Sequence, residues 1–114
     1  MNILDIQGML KAWASANTRV ARLWIFGSRA KGTSRPDSDI DIAIELNLGL
    51  NGRSSETSEF IFATWAFESN PWKEQLELLT KLPVDLQLYD GQETPTIQCG
   101  VNDGGLLVFD RSKV

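Results

Sequence analysis

Two aspartates separated by one residue, Asp39 and Asp41, are the side chains of this chain best suited to chemistry. They lie in segment 39–45, where three isoleucines alternate with polar or small residues, as in a β-strand. Alternate residues of a strand project from one face, roughly 6.6 Å apart along the chain. Two carboxylates this close repel each other unless a cation lies between them. Divalent ions about 3.5–4 Å apart can share such ligands and catalyse displacement at phosphorus. Taken alone, the same alternation is common in strands with an acidic solvent face.

A glycine-containing turn precedes the acidic pair. Gly27 and Ser28 follow Leu23–Phe26, a short apolar segment that we predict to be a strand buried on both faces. Because glycine lacks a Cβ, the backbone can approach a phosphate there, and backbone N–H groups with the Ser28 hydroxyl can bind its oxygens. Arg29 and Lys31 can add charge-assisted hydrogen bonds. The alternative interpretation is a turn with solvated basic side chains.

The segment that begins at Gly27 is close to a P-loop but lacks its defining residue. Thr33 follows Gly32, where a P-loop requires lysine. A P-loop also opens a long helix, which Gly32 and Pro36 would interrupt. The P-loop interpretation is therefore rejected.

The composition limits which metals and partners are compatible with the chain. Its 114 residues include no histidine and one cysteine, Cys99, which excludes histidine-based metal sites and an internal disulfide. Any metal would be bound by carboxylate oxygens, which favours Mg²⁺ or Mn²⁺. The net charge is −4, and basic residues cluster only around Arg29, Lys31 and Arg35, which suits one polyphosphate rather than extended nucleic acid. No signal peptide or membrane span is predicted, so we expect a cytoplasmic protein.

The remaining pattern predicts one α+β domain over residues 1–114. Its order is roughly α-β-β-α-α-β-α-β, with one small sheet. Helices are predicted over 3–16, about 57–69, 70–82 (beginning at Asn70-Pro71) and from about Pro95. The later strands are predicted from Val84 to Tyr89, with Asp85, Gln87 and Tyr89 on one face, and from Leu106 to Phe109.

Gly27-Ser28, ten further residues and then Asp39-Ile40-Asp41 resemble the signature of the polymerase beta-like nucleotidyltransferases. Within that superfamily the chain is similar to the minimal nucleotidyltransferases of bacteria and archaea. Val84-Asp85-Leu86 matches the later strand that carries their third acid. The resemblance covers most of residues 20–110, although 47–82 and the last strand match in outline only. It implies a small mixed β-sheet flanked by helices.

The resemblance also implies a role for each matching residue. Gly27 and Ser28 would bind the triphosphate of a nucleotide, with ATP the expected substrate. Asp39 and Asp41 would hold two Mg²⁺ or Mn²⁺ ions. Asp85 would complete one metal site and lie near the acceptor hydroxyl, as a ligand or proton acceptor; the alternative is a merely exposed aspartate. The implied reaction is attack of an acceptor oxygen on the α-phosphate with loss of pyrophosphate. Weaker nucleotide contacts are assigned to Arg29, Lys31 and Ser38.

The acceptor is expected to come from another chain, because one small domain leaves no second domain to close an acceptor pocket. The resemblance implies a partner: minimal members are often paired, as antitoxin to toxin, with a small helical HEPN-type protein, which some adenylylate. A contact-only antitoxin with a vestigial site is the alternative, and an aminoglycoside-type small-molecule transferase is less favoured. Aromatic residues over 60–67, with Trp72, indicate a helix buried either within the fold or against a partner, so a homo-oligomer and a hetero-oligomer both stay open.

Overall fold

A computed structural model of the chain describes residues 3–27, 30, 32, 39–46, 58–89 and 104–113, apart from the side chains of 58–62 and 113. These ranges contain two α-helices and four β-strands, which confirms the α+β class. The elements are α1 (Ile3–Ala16), β1 (Val20–Phe26), β2 (Ile40–Leu46), α2 (Ser58–Thr80), β3 (Val84–Leu88), β4 (Leu106–Asp110) and a 3-10 turn (Arg111–Lys113). None of the helices in these ranges has the length and hydropathy needed to cross a membrane.

The four strands form one mixed sheet in the order β3-β2-β1-β4. Strand β1 is antiparallel to both β2 and β4, whereas β2 and β3 are parallel. A parallel pair needs a crossover connection, and α2 lies in the connection between β2 and β3. The small mixed sheet expected from the family resemblance is therefore confirmed.

One face of this sheet packs against both helices and forms the main core. The three isoleucines of β2 are fully buried there, and α1 contributes a stripe at helical spacing, Ile6, Leu10 and Ala14. The predicted burial of β1 on both faces is confirmed, since Leu23, Trp24 and Ile25 are all buried. Trp24 belongs to a second, smaller cluster on the face away from the helices. The helices thus leave that second face available for polar side chains.

The strand boundaries differ slightly from the predicted ones. Strand β1 begins at Val20 rather than Leu23, because an irregularity between Val20 and Arg22 returns Val20 to the core opposite Leu46. Strand β2 begins at Ile40, so Asp39 lies just before the strand rather than in it. Strands β3 and β4 each differ by one residue at their ends. The predicted helix from about Pro95 lies outside the described residues.

The prediction of two helices meeting at Asn70-Pro71 was wrong, because α2 runs without a break through Pro71. A proline inside a helix costs about 3 kcal/mol through the lost hydrogen bond and the clash of its ring. Burial of Trp72 and Leu76, which are 4% and 0% exposed, offsets this at about 1.5–3 kcal/mol each. Pro71 has no N–H to donate to the carbonyl of Phe67, four residues earlier in the helix. Both residues are exposed, so water can hydrogen-bond to that carbonyl. Tertiary packing therefore overrides the local signal.

Helix α2 also ends earlier than predicted, at Thr80 rather than Leu82. Lys81 adopts a left-handed conformation (φ 59°), which stops the helix, and its N–H donates to the Glu77 carbonyl (2.8 Å). Of the aromatic residues predicted to be covered, Trp65 packs edge-on against Trp72, with ring centroids 6.1 Å apart. Phe67 instead is 82% exposed. Burial within the fold thus accounts for Trp65 but not for Phe67.

The guanidinium of Arg111 hydrogen-bonds to backbone carbonyls of three consecutive segments, α1, the turn after it and β1. Its Nε donates to the Val20 carbonyl, and its Nη2 donates to the carbonyls of Ala14 and Asn17, all at 2.9 Å. These carbonyls lie at the end of α1, in the following turn and at the start of β1. Arg111 therefore fixes the turn from α1 into the sheet.

We expect Arg111→Met to lower the free energy of unfolding by about 2–4 kcal/mol, because three charge-assisted hydrogen bonds are lost from a part-buried site. Urea denaturation measures the change. Arg19→Met is the matched control: among the described residues the Arg19 side chain forms a 3.8 Å ion pair with Glu68, and it is 58% exposed, so a change within about 0.5 kcal/mol is expected. Equal effects of the two substitutions would contradict the assigned role of Arg111.

Candidate functional site

The sheet face away from the helices carries the candidate site, and cross-strand register arranges its side chains in rows. The first row is Phe26, Asp41 and Asp85, because Phe26 and Asp85 are the register partners of Asp41 on β1 and β3. The next row is Trp24, Ala43 and Gln87. Register and burial thus place the acids at one end of this face and an aromatic cluster beside them.

Asp41 and Asp85 are brought together by the parallel pairing of β2 and β3. Neighbouring strands lie about 4.8 Å apart, so directly paired residues on one face present their side chains to each other. The two carboxyl groups lie within hydrogen-bonding reach, and the contact with Asp85 contributes to the raised pKa of Asp41 because it favours the protonated form. Asp39 lies two residues before Asp41, close enough for its charge to act on that group. The three predicted acids therefore converge on one point.

Gly27, which directly follows β1, lies against the Asp41 side chain of this acid cluster. It adopts a left-handed backbone (φ 72°), a conformation that side chains with a Cβ rarely take. A Cβ built on Gly27 would overlap Oδ2 of Asp41 and lie 3.1 Å from its Cγ. The absent side chain is thus what allows the Asp41 carboxylate to lie against the turn. Gly27 and Asp41, which belong to the two separate parts of the predicted signature, are thus in contact.

Charge and burial both act on Asp41. Burial is the largest cause, followed by the charge of Asp85, the hydrogen bond to Asp85 and the charge of Asp39; together they raise the pKa of Asp41 from 3.8 to about 6. Each cause disfavours a second negative charge at this position. Among the described residues, a further negative charge at this point is therefore unfavourable, and a bound cation would relieve the repulsion.

These carboxylates fit a divalent cation by their donor chemistry. Hard oxygen ligands that repel one another are what Mg²⁺ or Mn²⁺ binds. Within the described part of the chain, no three acidic, histidine or cysteine side chains already form a metal-ligand group. Asp41 and Asp85 instead lie within hydrogen-bonding reach of each other. Cation binding would require both carboxylates in their ionised form, so it would oppose protonation of Asp41.

The remaining predicted site residues lie outside the described ranges. They are the nucleotide-contact candidates Ser28, Arg29, Lys31 and Ser38. Their assignments stay predictions. Gly27 and the three acids are the predicted site residues that the structure brings together.

Two features of this face were not assigned a role from the sequence. Gln87 donates from Nε2 to Oδ1 of Asp85 at 2.7 Å. Beyond it, the rings of Trp24 and Tyr89 pack with centroids 4.4 Å apart. The period-2 pattern of β3 already puts Gln87 beside Asp85, but the strand pattern does not reveal that the amide turns toward the carboxylate.

The Arg22 side chain completes the aromatic cluster. It forms a bidentate pair with Glu45, with Nε donating to Oε1 at 2.6 Å and Nη2 to Oε2 at 2.7 Å. Its guanidinium carbon also lies 5.0 Å from the centroid of Trp24. Glu45 is the first cause of the raised pKa of Arg22. This part of the face is internally satisfied, in contrast to the acid end.

Comparison with known protein families identifies a nucleotidyltransferase domain. The model of the family "Polymerase beta, Nucleotidyltransferase" matches residues 9–114, and the chain belongs to this family. No curated protein matches the chain significantly.

Solved structures share the fold, and three of them show the extent of the similarity. A toxin–antitoxin complex crystallised with AMP-PNP is 22% identical, with TM-score 0.57, and the match covers 99% of this chain and 77% of that chain. The MNT antitoxin complex of the tri-AMPylated HEPN toxin from Shewanella oneidensis is 19% identical, with TM-score 0.54 and coverage of 99% and 76%. A proposed nucleotidyltransferase from Sulfolobus solfataricus is 21% identical, with TM-score 0.54 and coverage of 96% and 81%. At these identities the similarity establishes the fold alone.

We expect Gly27→Ala to weaken Mn²⁺ and nucleotide binding by at least about tenfold, because the new Cβ displaces Asp41 from the turn. Gly32→Ala is the matched control. Gly32 also has a positive φ (75°), but a Cβ there meets nothing within 4 Å, so this variant carries the backbone strain of about 1–2 kcal/mol without the collision. Calorimetric titration of both variants measures the difference. Equal losses would mean that backbone strain, not contact with Asp41, accounts for the effect.

We expect Asp41→Asn to raise the melting temperature of the metal-free protein at about pH 7–8 and to leave it nearly unchanged at about pH 4. The folded protein holds the Asp41 proton up to about pH 6, whereas the unfolded chain loses it near 3.8. The stability that this proton contributes is therefore complete below about pH 4 and is lost as the pH rises through about 6. The asparagine variant has no such loss. Differential scanning calorimetry across this range measures it.

Glu74→Gln controls for net charge, because Glu74 is exposed on α2 and its substitution also removes one negative charge. A Glu74→Gln profile that matches Asp41→Asn would mean that overall charge, and not the acid cluster, governs the pH dependence.

Proposed function

We propose that the chain transfers a nucleoside monophosphate, AMP from ATP, to a hydroxyl group of a partner protein of the HEPN type. The observation that carries the proposal is the convergence of Asp39, Asp41 and Asp85 beside the Gly27 turn. Membership of the nucleotidyltransferase family supports the reaction class.

In the proposed reaction, the acceptor hydroxyl oxygen attacks the α-phosphorus of ATP. The bond from that phosphorus to the oxygen bridging toward the β-phosphate breaks, and pyrophosphate leaves. The proton of the hydroxyl passes to a carboxylate, for which Asp85 is the candidate because it is the most exposed partner of the Asp41–Asp85 pair. Gly27, with the predicted contacts of Ser28, positions the triphosphate. Positioning and charge neutralisation account for most of the rate.

Asp39, Asp41 and Asp85 are the residues that would hold divalent cations. When bound, the cations would neutralise phosphate charge and polarise the phosphorus–oxygen bonds. The carboxylate chemistry supports this, since burial and the charges of Asp85 and Asp39 raise the pKa of Asp41 to about 6. The metal requirement is thus an expected property of the chain's own acid cluster.

The exposure of the acids favours a large acceptor. Asp39 and Asp85 are both exposed, and β3, which carries Asp85, is an edge strand of the sheet, so among the described residues these acids are accessible. An acceptor hydroxyl on a protein surface could reach Asp85 without burial of the whole acceptor. The Shewanella oneidensis structure, an AMPylated HEPN toxin with its MNT antitoxin, supports a partner of this class. A small-molecule acceptor would instead need an enclosing pocket.

A second candidate function is neutralisation by contact alone. It is favoured by Phe67 on α2, which is 82% exposed and offers an apolar side chain to a partner surface. In that case the acids would be a vestigial site and the partner would be bound without modification.

We expect the protein with Mg²⁺, ATP and its HEPN-type partner to release pyrophosphate and add one or more AMP-sized masses to the partner. Intact-mass spectrometry of the partner, together with pyrophosphate assay, measures both products. Asp39→Asn with Asp41→Asn should abolish the transfer and the Mg²⁺ dependence of ATP binding while the protein stays folded. Glu45→Gln is the control on the same strand and face, since Glu45 is engaged by Arg22 away from the acids.

Two results would contradict this reaction. A phosphate-sized mass with ADP release would indicate attack on the γ-phosphate, as in a kinase. Tight binding of an unmodified partner with every nucleoside triphosphate would establish the contact-only function.

A further inference from the structure

Gln87 makes a direct contact with the acid cluster that the proposed reaction does not yet use. It lies on β3 two residues after Asp85, so both side chains project from the same face of the sheet. Its Nε2 donates a hydrogen bond to Oδ1 of Asp85 at 2.7 Å. The distance is typical of a charge-assisted hydrogen bond, which is shorter and stronger than one between neutral groups.

The surroundings of Gln87 direct its amide toward Asp85. Its register partner on β2 is Ala43, a buried residue whose methyl group offers no hydrogen-bonding atom. On the other side along β3, the ring of Tyr89 packs against Trp24. The side chain therefore lies between an apolar neighbour and an aromatic pair, and its amide bonds to the adjacent carboxylate.

Asp85 needs such support more than Asp41 does. Asp41 is half-buried and is confined by the Gly27 turn, whereas Asp85 is exposed. An exposed carboxylate on a strand has several rotamers available. A fixed donor at Oδ1 favours one of them and leaves the other oxygen for chemistry.

The neutral amide is also suited to this position. A lysine or arginine here would add a positive charge beside residues that fit a cation, and a glutamate would add a further negative charge. Glutamine supplies a donor without changing the charge of the cluster. Side chains that orient the ligands of catalytic sites commonly act in this way.

We propose that Gln87 is a positioning residue, which holds the Asp85 carboxylate in the orientation that receives the proton of the acceptor hydroxyl. This inference rests on the proposed function and adds a specific residue to it. In this role Gln87 acts on the reaction through its hydrogen bond to Asp85.

The test compares Gln87→Met, which keeps the length but removes the donor, with Gln87→Glu, which keeps the shape but replaces the donor with a charged acceptor. We expect each to lower kcat for AMP transfer to the partner by about 10–100-fold. The KM for ATP should change little, because a misoriented Asp85 carboxylate affects transfer of the proton from the acceptor hydroxyl and not the binding of ATP. A purely space-filling role predicts that Gln87→Met, which keeps the length of the side chain without adding charge, retains the parent kcat, and that result would overturn the proposal.

Gln75→Met is the matched control. Gln75 also forms one side-chain hydrogen bond, accepted from Nε1 of Trp13 at 2.9 Å, but on α2 and away from the acids. It should lower the melting temperature as much as Gln87→Met does and leave kcat unchanged. An equal loss of kcat in both variants would mean that general destabilisation, not positioning, explains the result.

A second readout separates this inference from the proposed function. Crystal structures of the parent and of Gln87→Met should contain one Asp85 rotamer in the parent and several in the variant, whether or not the protein is active. Absence of AMP transfer by the parent would overturn the proposed function, and the rotamer comparison would still decide whether Gln87 orients Asp85. An unchanged single rotamer in the variant would overturn the inference.

Discussion

The parallel register between β2 and β3 is the constraint on which the candidate site depends. It pairs Asp41 with Asp85, and the same pairing sets Ala43 beside Gln87. A shift by one residue would turn Asp85 to the helix-covered face, because strand side chains alternate between faces. The buried residues on that face, Val84 and Leu88, oppose such a shift by packing into the core. Hydrophobic burial on one face of the sheet thus fixes the position of the acids on the other.

The division of the sheet into two faces explains how a small chain accommodates repelling charges. Both helices cover one face, where the isoleucines of β2 are fully buried. The other face needs less apolar cover, because Arg22 neutralises Glu45 and the rings of Trp24 and Tyr89 pack on each other. Among the described residues of this face, the end with Asp41 and Asp85 is where acidic side chains repel one another. The same strands therefore contribute buried apolar residues to the core and, on the opposite face, the acids of the candidate site.

The helices illustrate how packing overrides local sequence signals. Pro71 indicates a helix boundary in the sequence. The next residue, Trp72, nevertheless packs against Trp13 and Trp65, with ring centroids 5.7 and 6.1 Å away. Edge-to-face aromatic contacts of this kind add about 0.5–1.5 kcal/mol each beyond burial. Local propensity predicts where a helix can stop, but the energy of continuing depends on partners from elsewhere in the chain. The same holds for Arg111, whose carbonyl partners lie at the opposite end of the sequence.

The sequence by itself determined the alternating strand with Asp41, the apolar strand before Gly27 and the strand with Asp85, because period-2 patterns and turn residues are local properties. It also led, through the spacing of Gly27-Ser28 and the acids, to the correct family. The tertiary structure alone decided that Asp41 pairs with Asp85, that the Gly27 turn lies against the Asp41 carboxylate, that Gln87 bonds to Asp85 and that α2 continues through Pro71. Each of these depends on contacts between residues distant in sequence or on a side-chain rotamer, and a pattern along the chain specifies neither.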